Sequence, residues 1–156
     1  MDEGKRLASF VSELRCTDLS EEVVERTKDL VLDQIGIELA TSTKPWGLAV
    51  LKYVRSFCSL GESTIIGYGD KVKAENAAFV NGTFGHGFEM DDTYQEKLDG
   101  ARGTPVNPIT RGEVEDKFRD LATVVLSRSQ AEEVIKLVED LDGVRSISAL
   151  CKLLVS

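Results

Sequence analysis

The chain has 156 residues and a net charge of −8 at pH 7, with 42% hydrophobic and 29% charged residues. This is the size of one ordinary domain with enough apolar content for a core. The acidic balance disfavours non-specific binding to nucleic acid or anionic lipid, so neither is expected as a partner. No stretch approaches the roughly 20 apolar residues that cross a bilayer. The opening "MDEGKRLASF" lacks a signal-peptide apolar region, and a cytoplasmic or matrix-like compartment is expected. Cys16, Cys58 and Cys151 are odd in number and far apart, with no zinc-type spacing. They are expected to be reduced, semi-buried packing residues.

In chain order, Leu7, Phe10, Val11 and Leu14 recur at helical spacing and predict a short first helix. Ser20 is the expected N-cap of a second helix, with Glu21 and Glu22 suited to its dipole. Val23, Val24, Thr27, Leu30, Val31, Gln34 and Ile35 trace its expected apolar stripe. A third helix is predicted from Pro45, carrying Leu48, Leu51, Tyr53, Val54 and Phe57. In "GESTIIGYGD", glycines 61, 67 and 69 bracket a β-prone run, expected to be an isolated extended segment rather than part of a sheet. "KAENAAFVNGTFGHGFEM" resumes helix, and Ala74, Ala77, Ala78, Gly82 and Gly85 would let neighbouring backbones approach closely. Glycine inside a helix costs about 1 kcal/mol relative to alanine, which close packing or a ligand would have to offset.

"KLDGARGTPVNPIT" has linker composition. Thr110 with Glu113 and Ser129 with Glu132 read as capping boxes of two further helices. The first carries Val114, Phe118, Leu121 and Val125, the second Val134, Ile135, Val138 and Leu141. Asp142-Gly143 is a turn signal, and "SISALCKLL" closes the chain as a short helix. The expected class is all-α, a bundle of about seven helices with at most one brief strand.

"GHGFEMDDTY" holds the single histidine and three carboxylates. If helix continues through residue 93, His86, Glu89 and Thr93 share one face, with Asp92 beside them and Asp91 pointing elsewhere. Carboxylates clustered near an imidazole can act as general acid or base, or hold Mg²⁺ through oxygen ligands. A solvated acidic helix end with an ordinary histidine remains the alternative. Three acids at a helix C-terminus oppose its dipole, which leans towards function. There is no phosphate loop or nucleophile elbow, and no cofactor is expected.

"AENAAFVNGTFGHGFEMDDTY" resembles the signature helix of the MmgE/PrpD family, with "VLDQIGIELA" and "GESTIIGYGDKV" similar to the segments leading into it. "GTPVNPITRGEVEDKFRDLA" and "VEDLDGVRSISALCKLL" are similar to the family's C-terminal segment and closing helices. The resemblance implies lyase or isomerase chemistry on small di- or tricarboxylates, and a homodimer. It also implies a helical domain built from both chain ends, with an α/β lid inserted between them. Residues 1–156 then form a single helical domain. Residues 1–94 match the N-terminal segment, 95–103 stand where the lid would be, and 104–156 match the C-terminal segment. The family's D-x-D-D-T signature falls on Glu89 to Thr93, with Glu89 in place of the usual aspartate. The implied catalytic set is Glu89, Asp92 and Thr93, with His86 in a supporting place and no metal. The family histidine beyond that threonine has no counterpart in "YQEKLDG", and the lysines and histidine of the lid are missing too. Little or no activity of the chain alone is therefore expected.

Overall fold

The computed structural model describes residues 2–88 and 109–155. Among the described residues seven α-helices run in chain order: α1 (Glu3–Glu13), α2 (Glu21–Ser42), α3 (Pro45–Arg55), α4 (Ala74–Gly85), α5 (Arg111–Ala122), α6 (Arg128–Glu139) and α7 (Ser148–Leu153). The expected all-α class is what forms, with one departure. Leu60–Thr64 (β1) pairs antiparallel with Lys71–Val72 (β2), so the extended run belongs to a small hairpin and is not isolated. The turn between the strands uses Gly67 (φ +83°) and Gly69 (φ +73°) in left-handed backbone that favours glycine. That fold-back brings the second strand alongside the first.

Local signals place most helix ends. Asp2 caps α1, accepting from the Gly4 N–H, and Ser20 caps α2, accepting from the Val23 N–H. α3 starts at Pro45, whose missing N–H costs nothing in a first turn. The Thr110–Glu113 capping box opens α5 as expected. α6 corrects the sequence reading: its box is Ser127 with Gln130, not Ser129 with Glu132, so the helix starts two residues earlier.

The buried stripe of α2 also differs from expectation. Lys28, Leu32, Ile35, Gly36, Leu39 and Ala40 face inward, while Val23 and Leu30 stay on the outer side and Gln34, though exposed, meets the end of α4. Two apolar stripes compete along this helix, and the one in register with α5 takes the core. Lys28 can lie on the buried side because Asp142 (2.6 Å) and Glu25 (2.9 Å) pair with its ammonium and push its pKa up to about 12.

The main core joins α2 to α5, α6 and α7 through Leu32, Ile35, Leu39, Val114, Phe118, Val134, Val138 and Leu150. A second cluster under α3, the hairpin and α4 holds Leu51, Val54, Ile65, Val80 and Phe84. Asn81 ties α4 to the hairpin, accepting from the Ile66 N–H (3.1 Å) and donating to the Thr64 carbonyl (3.0 Å). The Gly67 N–H donates to the Leu154 carbonyl (2.7 Å), which links the hairpin to the end of α7. α1 behaves differently: its apolar face forms, but none of its residues is buried. Cys16 is exposed, contrary to expectation, while Cys58 and Cys151 are half-buried; all three are free thiols. No helix among the described residues is long and apolar enough to cross a membrane.

Candidate functional site

α4 carries Ala77, Val80 and Phe84 on its buried face. Its other face presents the small residues Ala78 and Gly82 to a cleft of about 800 Å³. Trp46 of α3 and Phe79 supply aromatic walls, and Thr83, His86 and Gly87 line the end nearest the helix terminus. A Cβ on Gly82 would meet nothing within 4 Å, so here the glycine leaves open space and does not admit a neighbouring backbone.

α4 ends at Gly85 and His86 is its C-cap (φ −92°, ψ 0°), donating its N–H to the Gly82 carbonyl at 3.2 Å. The Gly87 N–H then donates to Phe84 (3.1 Å). α4 therefore ends before His86, and the helical face expected to carry Glu89 and Thr93 beside it falls outside the described residues. His86 lines the cleft. Glu89, Asp92 and Thr93 lie outside the described residues.

The end of α4 crosses the C-terminal half of α2 at two glycines. A side chain on Gly85 would overlap Gln34 Nε2, and one on Gly87 would overlap the Thr41 methyl. At Gly87, against the buried Thr41, the close approach requires a residue without a Cβ. At Gly85 the obstacle is only the far end of the exposed, flexible Gln34 side chain. Gln34 Nε2 donates to Glu38 Oε1 at 3.4 Å. Burial pushes the Glu38 carboxyl up to about 7, while the Gln34 hydrogen bond pulls weakly the other way. Thr41 is fully buried and its Oγ1 lacks a hydrogen-bond partner.

A second cavity, about 520 Å³, opens between α2, α4 and α5, lined in part by Gln34, Ile37, Gly85, Phe88 and Lys117. Lys117 pairs with Asp33 at 2.8 Å and is already engaged. Lys44 lies over the Phe88 ring, 5.8 Å from its centroid. Among the described residues no group of three histidine, cysteine, aspartate or glutamate side chains could hold a metal ion.

Chemically, the site offers a carboxyl poised near neutrality, an imidazole at a cleft and a buried hydroxyl. Sequence reasoning picked His86 but missed Glu38, Thr41 and Trp46. Gln34, Glu38 and Thr41 recur at i, i+4, i+7 and mark one face of α2, a signal that could have found them.

The MmgE/PrpD N-terminal domain model matches residues 5–108. The chain belongs to the MmgE/PrpD family. Among curated relatives, a cis-aconitate decarboxylase-like protein (oryM) of Aspergillus oryzae is 34% identical over 86 residues, covering 55% of this chain and 18% of its own length. The cis-aconitate decarboxylase of Aspergillus terreus is 32% identical over 90 residues, covering 58% and 18%. The human cis-aconitate decarboxylase is 33% identical over 89 residues, covering 56% and 18%. These matches thus span 18% of the relatives' length. No solved structure matches significantly. For this MmgE/PrpD chain, the matched region includes the whole α4 terminus and its crossing with α2.

Proposed function

We propose that this MmgE/PrpD chain is the helical domain of a lyase or isomerase acting on small di- or tricarboxylates, and that alone it has little or no activity. The observation that carries this reading is the shared core of α2 with α5 and α6, which unites helices from both sides of residues 95–103. Two segments that the resemblance assigns to opposite ends of a discontinuous domain thereby form one packed body. Relatives named as cis-aconitate decarboxylases support the reaction class.

Such chemistry abstracts a proton beside a carboxylate, then expels water or CO₂ or returns the proton. It needs a base, a proton donor and groups that stabilise developing negative charge. The family signature supplies Glu89, Asp92 and Thr93 as the candidate catalytic groups, with His86 in a supporting place. The partners that the family resemblance places on a lid have no counterparts here. Loss of one oxyanion-type donor costs about 10²–10³ in rate, and several are absent together. Purified chain assayed on 2-methylcitrate, cis-aconitate and iminodisuccinate should show no turnover. Turnover abolished by Glu89→Gln or Thr93→Ala would overturn the claim of inactivity.

A second reading, a dimerisation module that binds itself or a full-length paralogue, is favoured by the uncovered apolar faces of α1 and α3. Leu7, Phe10 and Val11 on the first, Trp46 and Tyr53 on the second, and Phe57 just beyond it, are all exposed. Recovery of only the monomeric chain in sedimentation and pull-down would refute it.

A further inference from the structure

α1 is an amphipathic helix that its own chain leaves uncovered. Leu7, Phe10 and Val11, with Leu14 at the C-cap, recur at i, i+3, i+4, i+7 and form one apolar ridge. All four are exposed, and no residue of the helix is buried. A helix of 11 residues is marginal in water unless packing supports its apolar face.

The cleft beside α4 has the complementary form. Ala78 and Gly82, one turn apart, leave its floor open, and the aromatic walls Trp46 and Phe79 are about half exposed (47% and 53%). Its lining carries no ammonium and no carboxylate, and the Thr83 hydroxyl already donates to the Phe79 carbonyl at 2.8 Å. An apolar ridge laid there strands no charge. A small ligand would need several convergent polar groups to orient it, whereas a helix face seats by its apolar anchors alone.

Ridge and groove lie at opposite ends of α2. α1 leads into the start of α2 through the short turn Cys16–Asp18, where Cys16 and Leu19 share a small pocket with Val24, Thr27 and Leu141. The cleft belongs to the far end, where Gly87 packs over Thr41 and α3 begins at Pro45, just after α2 ends at Ser42. Glu21 and Thr41 are about 30 Å apart along the helix, while residues 14–21 fully extended would reach about 25 Å. With the Cys16–Asp18 turn intact α1 cannot reach the cleft of its own chain, and none of its residues lines it. Two copies related by a two-fold axis, with their α2 helices antiparallel, bring each ridge over the other's groove and close the contact.

We infer that the apolar ridge of α1 seats in the α3–α4 cleft of a second copy, reciprocally in both chains. The inference rests on the dimerisation reading above and deepens it by naming the two surfaces that meet. At their present exposure Phe10, Trp46 and Phe79 offer about 300 Å² per chain, and Leu7, Val11 and Leu14 about 200 Å² more. The pair then buries about 1,000 Å², the lower end of what a specific interface needs, so the dimer is expected to be a micromolar one.

Trp46 is the single tryptophan and lines the groove, so its emission reports whether a ridge covers it. The test combines sedimentation with Trp46 emission on full chains carrying either Phe10→Gln, which removes the ridge's aromatic anchor, or Gly82→Gln, which fills the groove. Neither changes the net charge or the core, because Phe10 is exposed and a Cβ on Gly82 meets nothing within 4 Å. The wild-type chain should dimerise in the micromolar range, with a blue shift of Trp46 that reverses on dilution. Each variant alone loses both seats, and its dissociation constant should rise about a hundredfold or more. An equimolar mixture of the two keeps one seat, an intact ridge on an intact groove. It should associate about tenfold more tightly than either variant with itself. A mixture that associates no better than its components overturns the seating, as does a wild-type dimer whose Trp46 emission ignores dilution; in both cases wild-type dimerisation itself stands. A wild-type chain that stays monomeric at high micromolar concentration overturns the seating and self-association together.

Discussion

Glu38 sits where α4 ends on α2, and its burial gives it a pH-dependent contribution to stability. Burial raises its carboxyl from 4.5 to about 7. Between those values the folded chain holds a proton that the unfolded chain has released. Stability therefore falls as pH rises from 4.5 to about 7, and is flat with respect to this group outside that window. Glu38→Gln keeps the shape without the ionisation, so it should abolish this slope and stabilise the protein at pH 8 by about 2–3 kcal/mol. Urea melts of both proteins at pH 4.5 and pH 8 check this; equal differences at the two values would contradict it. Gly87 offers a second residue-scale test. Gly87→Ala drives a methyl into Thr41 and should cost about 1–3 kcal/mol, the usual penalty for overpacking. Thr41→Ala in the same chain should recover much of that loss, which thermal melts of the double-mutant cycle would show.

At the scale of elements, α6 shows how a correct signal can be misplaced. "SRSQAEE" contains two overlapping cap patterns, Ser127 with Gln130 and Ser129 with Glu132. Both satisfy the local rule, and the packing of Ala131, Val134, Ile135 and Val138 on α2 and α5 selects the earlier start. Ser127→Ala should therefore cost about 1 kcal/mol, while Ser129→Ala should cost less than half as much by chemical denaturation. The same distinction governs what was legible elsewhere. Ends fixed by local chemistry, such as Ser20, Pro45 and Thr110, could be read directly. The inward stripe of α2 could not, because Val23 and Leu30 have the right spacing but lack a partner helix on their side. The hairpin was missed because β2 is two residues long and is held by pairing, not by its own composition. At the candidate site, His86 was readable as a motif member. The break after Gly85 was not, because it depends on how α4 meets Gln34 and Thr41, a contact distant in sequence.

For the molecule as a whole, the core explains folding but leaves a large apolar surface uncovered. Leu7 is 65% exposed, Phe10 60% and Val11 63%, on a helix with no buried residue of its own. Tyr53 of α3 and Phe57, in the turn just after it, stack edge to face at 4.9 Å while both remain exposed. A preformed amphipathic helix loses less entropy on docking than a disordered segment, and large contiguous apolar patches on soluble proteins commonly mark interaction surfaces. A second copy supplies such a surface in the same amount, and a two-fold contact would cover it in both chains at once. Repulsion between two bodies of net charge −8 opposes that contact over distances comparable to the screening length, about 10 Å at 0.1 M salt. Dimerisation should therefore tighten as salt rises from 20 to about 300 mM, the opposite of an interface held by ion pairs. Sedimentation velocity across that range tests both parts. Phe10→Glu should shift the chain towards monomer while leaving its circular dichroism unchanged, because Phe10 contributes nothing to the buried core. A wild-type chain that stays monomeric at high micromolar concentration in 300 mM salt would eliminate self-association, and the uncovered faces would then belong to a different partner.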